Sequence, residues 1–290
     1  MVVHECRYYQ RLDDSAVECR LCPHRCHIAD GKTGICHSRR NQGGVLISEV
    51  YAQPCALAID PVEKKPLYHF HPGTQCLSIA CTGCNFRCLN CQNYDNSQVA
   101  PSAVDHHELS PKDVVALCQK HRCPCIAYTY TEPLTYIEYT TDTAKLAHDA
   151  GLWNILVTAG YVNPEPLADL LPYLDAANID LKSFSDSIYQ RISGGHLQPV
   201  LDTILAMRDA GVWVEITNLV IPGINDDMEM IRQMCRWLAD NHLALAPLHF
   251  SRFFPRYKMM DVPPTPLRTL QSAKRIAEEE GIQYVYLGNV

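Results

Sequence analysis

CLSIACTGCNFRCLNC, residues 76–91, runs a short apolar segment straight into four closely spaced cysteines, Cys81, Cys84, Cys88 and Cys91. The segment 76–80 reads as a strand, so the thiols occupy the loop at its C-terminal end. Soft thiolates on one loop suit an iron–sulfur cluster or zinc. Two ligand sets are available. Cys84-x3-Cys88-x2-Cys91 gives three thiolates and leaves one iron of a four-iron cube open to a further ligand. Adding Cys81 gives a closed four-thiolate site for zinc or electron transfer. Spacing alone leaves both open.

Outward from this loop the chain alternates strand-like and helix-like segments. CIAYTY (125–130), WNILVT (153–158), AANIDL (176–181), VWVEITNLVI (212–221), LAPLHF (245–250) and QYVYL (283–287) read as strands. Ser110-Pro111 and Thr265-Pro266 read as helix starts. Val114, Leu117, Cys118 and His121 mark one helical face, and Ile231, Met234, Cys235 and Leu238 another. HDAGLWNIL (148–156) and RDAGVWVEI (208–216) repeat one grammar, a helix end, a glycine at C′ and an apolar strand, and EEEGIQYVYL (278–287) repeats it more loosely. Together with 76–80 these make seven strands, one short of a closed eight-unit barrel. The pattern predicts a parallel sheet, either a partial barrel or doubly wound, with functional groups at the C-terminal ends of the strands.

Residues 1–75 break the rhythm and read as a Cys-rich N-terminal extension packed on a 76–290 β/α barrel. The extension carries Cys19-x2-Cys22-x3-Cys26-x9-Cys36, a motif that suits an auxiliary iron–sulfur cluster or a structural zinc. The scattered Cys6, Cys55, Cys118, Cys123, Cys125 and Cys235 read as small buried hydrophobes.

Composition narrows the function classes. A net charge of −7 argues against general attraction to nucleic acid or a membrane surface. No apolar run is long enough to span a bilayer, and MVVHECRYYQRLDD lacks the apolar core of a leader peptide. The expected compartment is the reducing cytoplasm, where cysteines serve as metal ligands or redox groups.

The stretch CNFRCLNCQNYDNS (84–97) resembles radical S-adenosylmethionine (SAM) enzymes, in particular the pyruvate formate-lyase activating enzyme branch. DLK (180–182), VIPGINDD (220–227) and PLHFSRF (247–253) fall in that family's order. CRLCPHRCHIADGKTGIC, EKKPLYHFHPG, YTYTEP and YVYLGN look more like the radical SAM member of the AmmeMemoRadiSam system. The resemblance implies a partial, TIM-like (β/α) barrel whose [4Fe–4S] cluster is held by Cys84, Cys88 and Cys91, with Cys81 outside the ligand set. It implies that the cluster reductively cleaves SAM to a 5′-deoxyadenosyl radical, which abstracts hydrogen from a substrate. It also implies SAM contacts by Glu132, Thr158, Asp180, Lys182, Asn218 and His249. Implied partners are an electron donor such as flavodoxin or ferredoxin, Memo-type and Ammecr-type proteins, and a substrate that can itself be a protein. One variant is an activase that places a glycyl radical on a partner enzyme. A reading of another class is a non-catalytic iron–sulfur or zinc protein. Two positions depart from the family pattern: Asn90 replaces an aromatic, and Val157 replaces an Asp of the activase branch. Many such chains continue past YLGN into a tail with more cysteines, so the end at Val290 suggests a shortened form.

Overall fold

The seven expected strands form a single sheet, laid down in sequence order, in the computed structural model, which describes residues 4–290. Before them come six short strands, β1 (His4–Glu5), β2 (Tyr9–Arg11), β3 (Val17–Cys19), β4 (His27–Ile28), β5 (Arg39–Gln42) and β6 (Val45–Ser48). These make two small antiparallel sheets, ordered β1-β6-β5 and β2-β3-β4. The main sheet comprises β7 (Pro54–Pro61), β8 (Gln75–Cys81), β9 (Cys125–Tyr128), β10 (Trp153–Thr158), β11 (Ala176–Asp180), β12 (Trp213–Val220), β13 (Leu248–Arg252) and β14 (Val285–Gly288). From β8 to β14 all neighbours are parallel.

Helices carry the chain back between these strands. They are α1 (Tyr94–Ser97), α2 (Pro111–Lys120), α3 (Ile137–Asp149), α4 (Pro164–Leu170), α5 (Asp186–Ile188), α6 (Gln198–Asp209), α7 (Met228–Asp240) and α8 (Leu267–Glu279). Ser110 caps α2 in a reciprocal capping box with Asp113. Thr265 does not cap α8. Its hydroxyl is buried, donates to the Val220 carbonyl and accepts from Phe253 N, so it ties β12 to the segment after β13.

Two strand readings change. Pro54–Pro61, within the stretch read as extension, pairs antiparallel with β8 as the edge of the main sheet. Its terminal prolines suit an edge, where ladder donors are dispensable. LAPLHF gives a strand three residues later than its hydrophobicity suggests. Leu245 is 59% exposed, and Pro247 contributes only its carbonyl, to Ile216 N.

Strand alternation divides the core. Leu77, Ile79, Ile126, Tyr128, Leu156 and Ile179 point outward and pack under the helices. Cys76, Cys125, Ala127, Ile155 and Ala176 point inward and pack on Val62 and Leu67. With both faces covered the strands read as continuous apolar runs. Cys118 and Cys235 are fully buried on their helices.

Residues 62–70 therefore plug the floor of the half-barrel. The Glu215 carboxylate, fully buried on β12, accepts Tyr68 N at 3.0 Å, His69 N at 2.8 Å, His249 Nε2 at 2.7 Å and Trp213 Nε1 at 3.1 Å. Asn178 Nδ2 donates to the Pro66 carbonyl at 2.9 Å. The N-terminal sheets are fastened by one buried ion pair. The Arg39 guanidinium donates to both oxygens of Glu138 on α3, at 2.7 and 2.6 Å, with both side chains 1% exposed.

Burial alone would push the Glu215 carboxyl up. The His249 bond and the donors from Tyr68, His69 and Trp213 outweigh it and hold the pKa below the ordinary glutamate value of 4.5. The contribution is full above that value and is lost as pH falls through the folded one. Glu215→Gln should cost about 3 kcal/mol near neutrality. The gap in thermal midpoint between wild type and Glu215→Gln should narrow as pH drops below 4.5; a gap that stays constant or widens contradicts this account of the floor.

Candidate functional site

At the opposite end from the plug, the C-terminal ends of β8–β13 surround a cavity of about 420 Å³. Cys84, Cys88 and Cys91 line it. Cys81 does not, and strand alternation explains why: it shares the parity of Leu77 and Ile79, so its fully buried side chain lies in the outer core. The loop that carries the other three thiols begins only after this strand ends.

The loop is held from three sides. From the N-terminal extension, Ser38 Oγ donates to the Thr82 carbonyl at 3.1 Å, and His24 Nε2 lies 2.8 Å from the Asn85 carbonyl. Gly83 (φ +115°) is obligatory, because a Cβ there would overlap Ser38 Oγ and the Cys36 carbonyl oxygen. From the segment after β11, a single turn of π geometry at Tyr189–Ser193 offers carbonyls to the loop. Arg87 N donates to Ser193 O at 2.7 Å, and Leu89 N to Ile192 O at 3.0 Å. From the turn after β9, the Tyr130 carbonyl accepts Asn93 Nδ2 at 2.6 Å.

Glu132, Thr158, Asp180 and Lys182 also line the cavity. Glu132 is buried in the turn that follows β9. Its Oε1 accepts Thr158 Oγ1 at 2.6 Å and Leu134 N at 3.1 Å, and its Oε2 accepts Ala159 N at 2.8 Å. Burial raises its pKa, and these hydrogen bonds, with the nearby Lys182 charge, only partly oppose that. Thr158 Oγ1 is spent internally, donating to Glu132 and accepting Gly160 N at 2.9 Å, so it orients the carboxylate. Lys182 Nζ donates to Asp180 Oδ2 at 2.8 Å. Burial would lower the lysine pKa, but Asp180 and the neighbouring Cys88 sulfur outweigh it and hold the ammonium above its ordinary value.

Asn218 and His249 stand outside the cavity lining. Glu215, Thr217 and Leu219 take the inward parity of β12, so Asn218 faces outward and donates to the Leu181 carbonyl at 2.7 Å. His249 lies deeper, bound to Glu215 in the floor and edge-on to Tyr68, and Ser251 of the same strand reaches the cavity instead. The departures Asn90 and Val157 both line the cavity. Cys19, Cys22, Cys26 and Cys36 come together around a separate, much smaller void.

Sequence reasoning passed over three groups that shape the site. Tyr130, at φ +65°, lines the cavity with its hydroxyl on Asp60. Tyr189 accepts Lys182 N through its hydroxyl at 3.0 Å. Asn225 donates to the Lys182 carbonyl at 2.7 Å and accepts Ile221 N at 2.6 Å. Asn225 lies within VIPGINDD, so its position was visible; the π turn carries no periodic signal.

The donor set fits the group that the resemblance implies. Among the described residues, no three His, Cys, Asp or Glu side chains are drawn in tightly enough to chelate one ion. The three loop thiols instead border a cavity of the size that takes a cofactor. Burial pushes Cys84 up, aided by Glu132 and Cys88, and burial with Cys88 pushes Cys91 up. A coordinated metal reverses that balance and takes the thiolates. Beside the thiols stand the Glu132 and Asp180 carboxylates and the Lys182 ammonium, charges that complement the amino and carboxylate groups of SAM.

Comparison with known proteins agrees. A model described as the Radical SAM superfamily matches residues 78–237. An uncharacterized protein of Methanocaldococcus jannaschii is 46% identical over 288 residues, 99% of this chain and 86% of its own length. The pyruvate formate-lyase 1-activating enzyme of Escherichia coli K12 is 26% identical over 220 residues, covering 70% of this chain and 89% of the enzyme. In fold, the chain is similar to a radical SAM methyltransferase from Sphaerobacter thermophilus, with a TM-score of 0.58 at 13% identity, over 76% of this chain and 68% of that one. The chain belongs to the Radical SAM superfamily, enzymes that use a [4Fe–4S] cluster and SAM.

Proposed function

We propose that Cys84, Cys88 and Cys91 hold the [4Fe–4S] cluster and that Glu132 and Lys182 hold the polar end of SAM. The observation that carries this reading is the selection among the opening cysteines: three border the cavity with Glu132 and Lys182, and Cys81 is turned away. Bound there, the cluster and SAM supply one-electron cleavage of the S–C5′ bond and a 5′-deoxyadenosyl radical that abstracts hydrogen from the substrate.

The protein's own groups fix the geometry. Glu132 Oε2 has a single donor, so it retains capacity for an ammonium. The Lys182 ammonium uses one of three donors on Asp180 and can place another on a carboxylate. Tyr189 and Asn225 hold the Lys182 backbone from both sides, and Thr158 fixes the face of Glu132. Apolar Phe86, Ile192, Leu219 and Ile221 line the walls and exclude water from a radical.

The activase variant draws on curated relatives of that kind. Besides the E. coli enzyme, they include activating enzymes for 4-hydroxyphenylacetate decarboxylase and isethionate sulfite-lyase. On that reading the hydrogen comes from a glycine of a partner enzyme and the electron from a flavodoxin or ferredoxin. Memo-type and Ammecr-type proteins are the partners on the AmmeMemoRadiSam reading. Mixing the reduced protein and SAM with a glycyl-radical enzyme separates the two. A glycyl EPR signal on the partner supports the activase, and its absence alongside continued SAM cleavage supports another substrate.

After anaerobic reconstitution and reduction, the wild type and Cys81→Ser should both release 5′-deoxyadenosine from SAM, read by mass spectrometry. Cys84→Ala, Cys88→Ala and Cys91→Ala should each release none. Failure of Cys81→Ser with a retained cluster in Cys84→Ala contradicts the ligand assignment. Lys182→Met removes a charge-assisted contact worth about 2 kcal/mol and should raise the KM for SAM roughly 30-fold. An unchanged KM removes Lys182 from the SAM site.

A further inference from the structure

The N-terminal cysteine group takes no part in the site above. It belongs to a sheet whose strands β2, β3 and β4 are 3, 3 and 2 residues long. Strands so short do not hold a sheet by backbone bonds and burial alone. Cys19 ends β3, Cys22 and Cys26 lie in the turn into β4, and Cys36 returns from the next loop. All four border one void of about 10 Å³, the scale of a single water or ion.

Two observations separate this group from thiols packed as small hydrophobes. Asn85, 2% exposed, also borders the void. Its Nδ2 is committed to the Tyr161 carbonyl at 2.7 Å, and its Oδ1 has no hydrogen-bond partner. A carbonyl oxygen left without a donor beside a void lined by sulfur favours a cation there. Finally, Arg39 borders the same void with its buried guanidinium on Glu138, adding positive potential that offsets the surplus negative charge of four thiolates.

We propose that Cys19, Cys22, Cys26 and Cys36 bind one zinc ion as a closed, structural tetrathiolate site. The void selects one ion over a four-iron cube, which would need the walls to part. The four sulfurs surround the space without yet being drawn to bonding distance of one ion. Metal entry closes them and releases their protons to solvent. The ion then stiffens the surface on which the cluster loop rests. His24 lies between Cys22 and Cys26, Ser38 lies two residues past Cys36, and both bond that loop at Asn85 and Thr82.

The full chain, purified without added metal, should carry about one zinc per molecule by mass spectrometry of the metals. The triple variant Cys84→Ala/Cys88→Ala/Cys91→Ala should keep it, which makes this outcome independent of the radical SAM site. Cobalt(II) exchanged into the wild type should give thiolate-to-metal charge-transfer and tetrahedral d–d bands, lost in Cys22→Ser. Should Cys22→Ser not fold, the wild-type cobalt spectrum decides alone. Iron in place of zinc in the triple variant overturns the proposal. So does a wild type that holds neither metal and whose four thiols react freely with an alkylating reagent in the native state.

Discussion

The side-chain parity of β8 governs this molecule. Because neighbours on a strand face opposite ways, Cys76 and Ser78 look into the half-barrel while Leu77, Ile79 and Cys81 look out. A tight four-cysteine cluster thereby becomes a three-thiol site. The strand ends on the fourth thiol, and the loop that follows carries the others into the cavity. A closed tetrathiolate would require β8 to slip by one residue, which would turn Leu77 and Ile79 out of the helix-packed core. On the proposed ligand set, hydrophobic burial is what keeps Cys81 away from the position left for SAM.

The loop of Cys84, Cys88 and Cys91 is held by elements remote in sequence. The extension presses on Gly83 and bonds Thr82 and Asn85; the π turn bonds Arg87 and Leu89; Tyr130, just past β9, bonds Asn93. The extension is anchored in turn by the Arg39–Glu138 pair, buried on both sides. Such a pair adds little net stability but is costly to break singly, so it acts as a latch that fixes where the extension sits. At the other end, the Glu215 network replaces the side-chain layers that fill a closed barrel with a polar plug.

Much of this was legible in the residues. The strand–helix grammar located the parallel strands, and DLK with YTYTEP pointed to Lys182, Asp180 and Glu132, which do meet in the cavity. What could not be read is depth. His249 and Ser251 share one face of β13, and only the plug decides that the histidine belongs to the floor. Asn218 came from the resemblance, and its parity relative to Thr217 places it outside the cavity lining. The edge strand PCALAIDP escaped because its prolines resemble a loop, and the π turn escaped because it has no repeat to detect.

The central claim is that the cluster is held by three thiolates and that its remaining iron is open to SAM. EPR of the reduced protein, recorded with and without SAM in wild type and Cys81→Ser, tests it most directly. The account predicts a [4Fe–4S] signal in both proteins whose g-values shift when SAM is added. A signal that ignores SAM, or a cluster that disappears with Cys81, would contradict it.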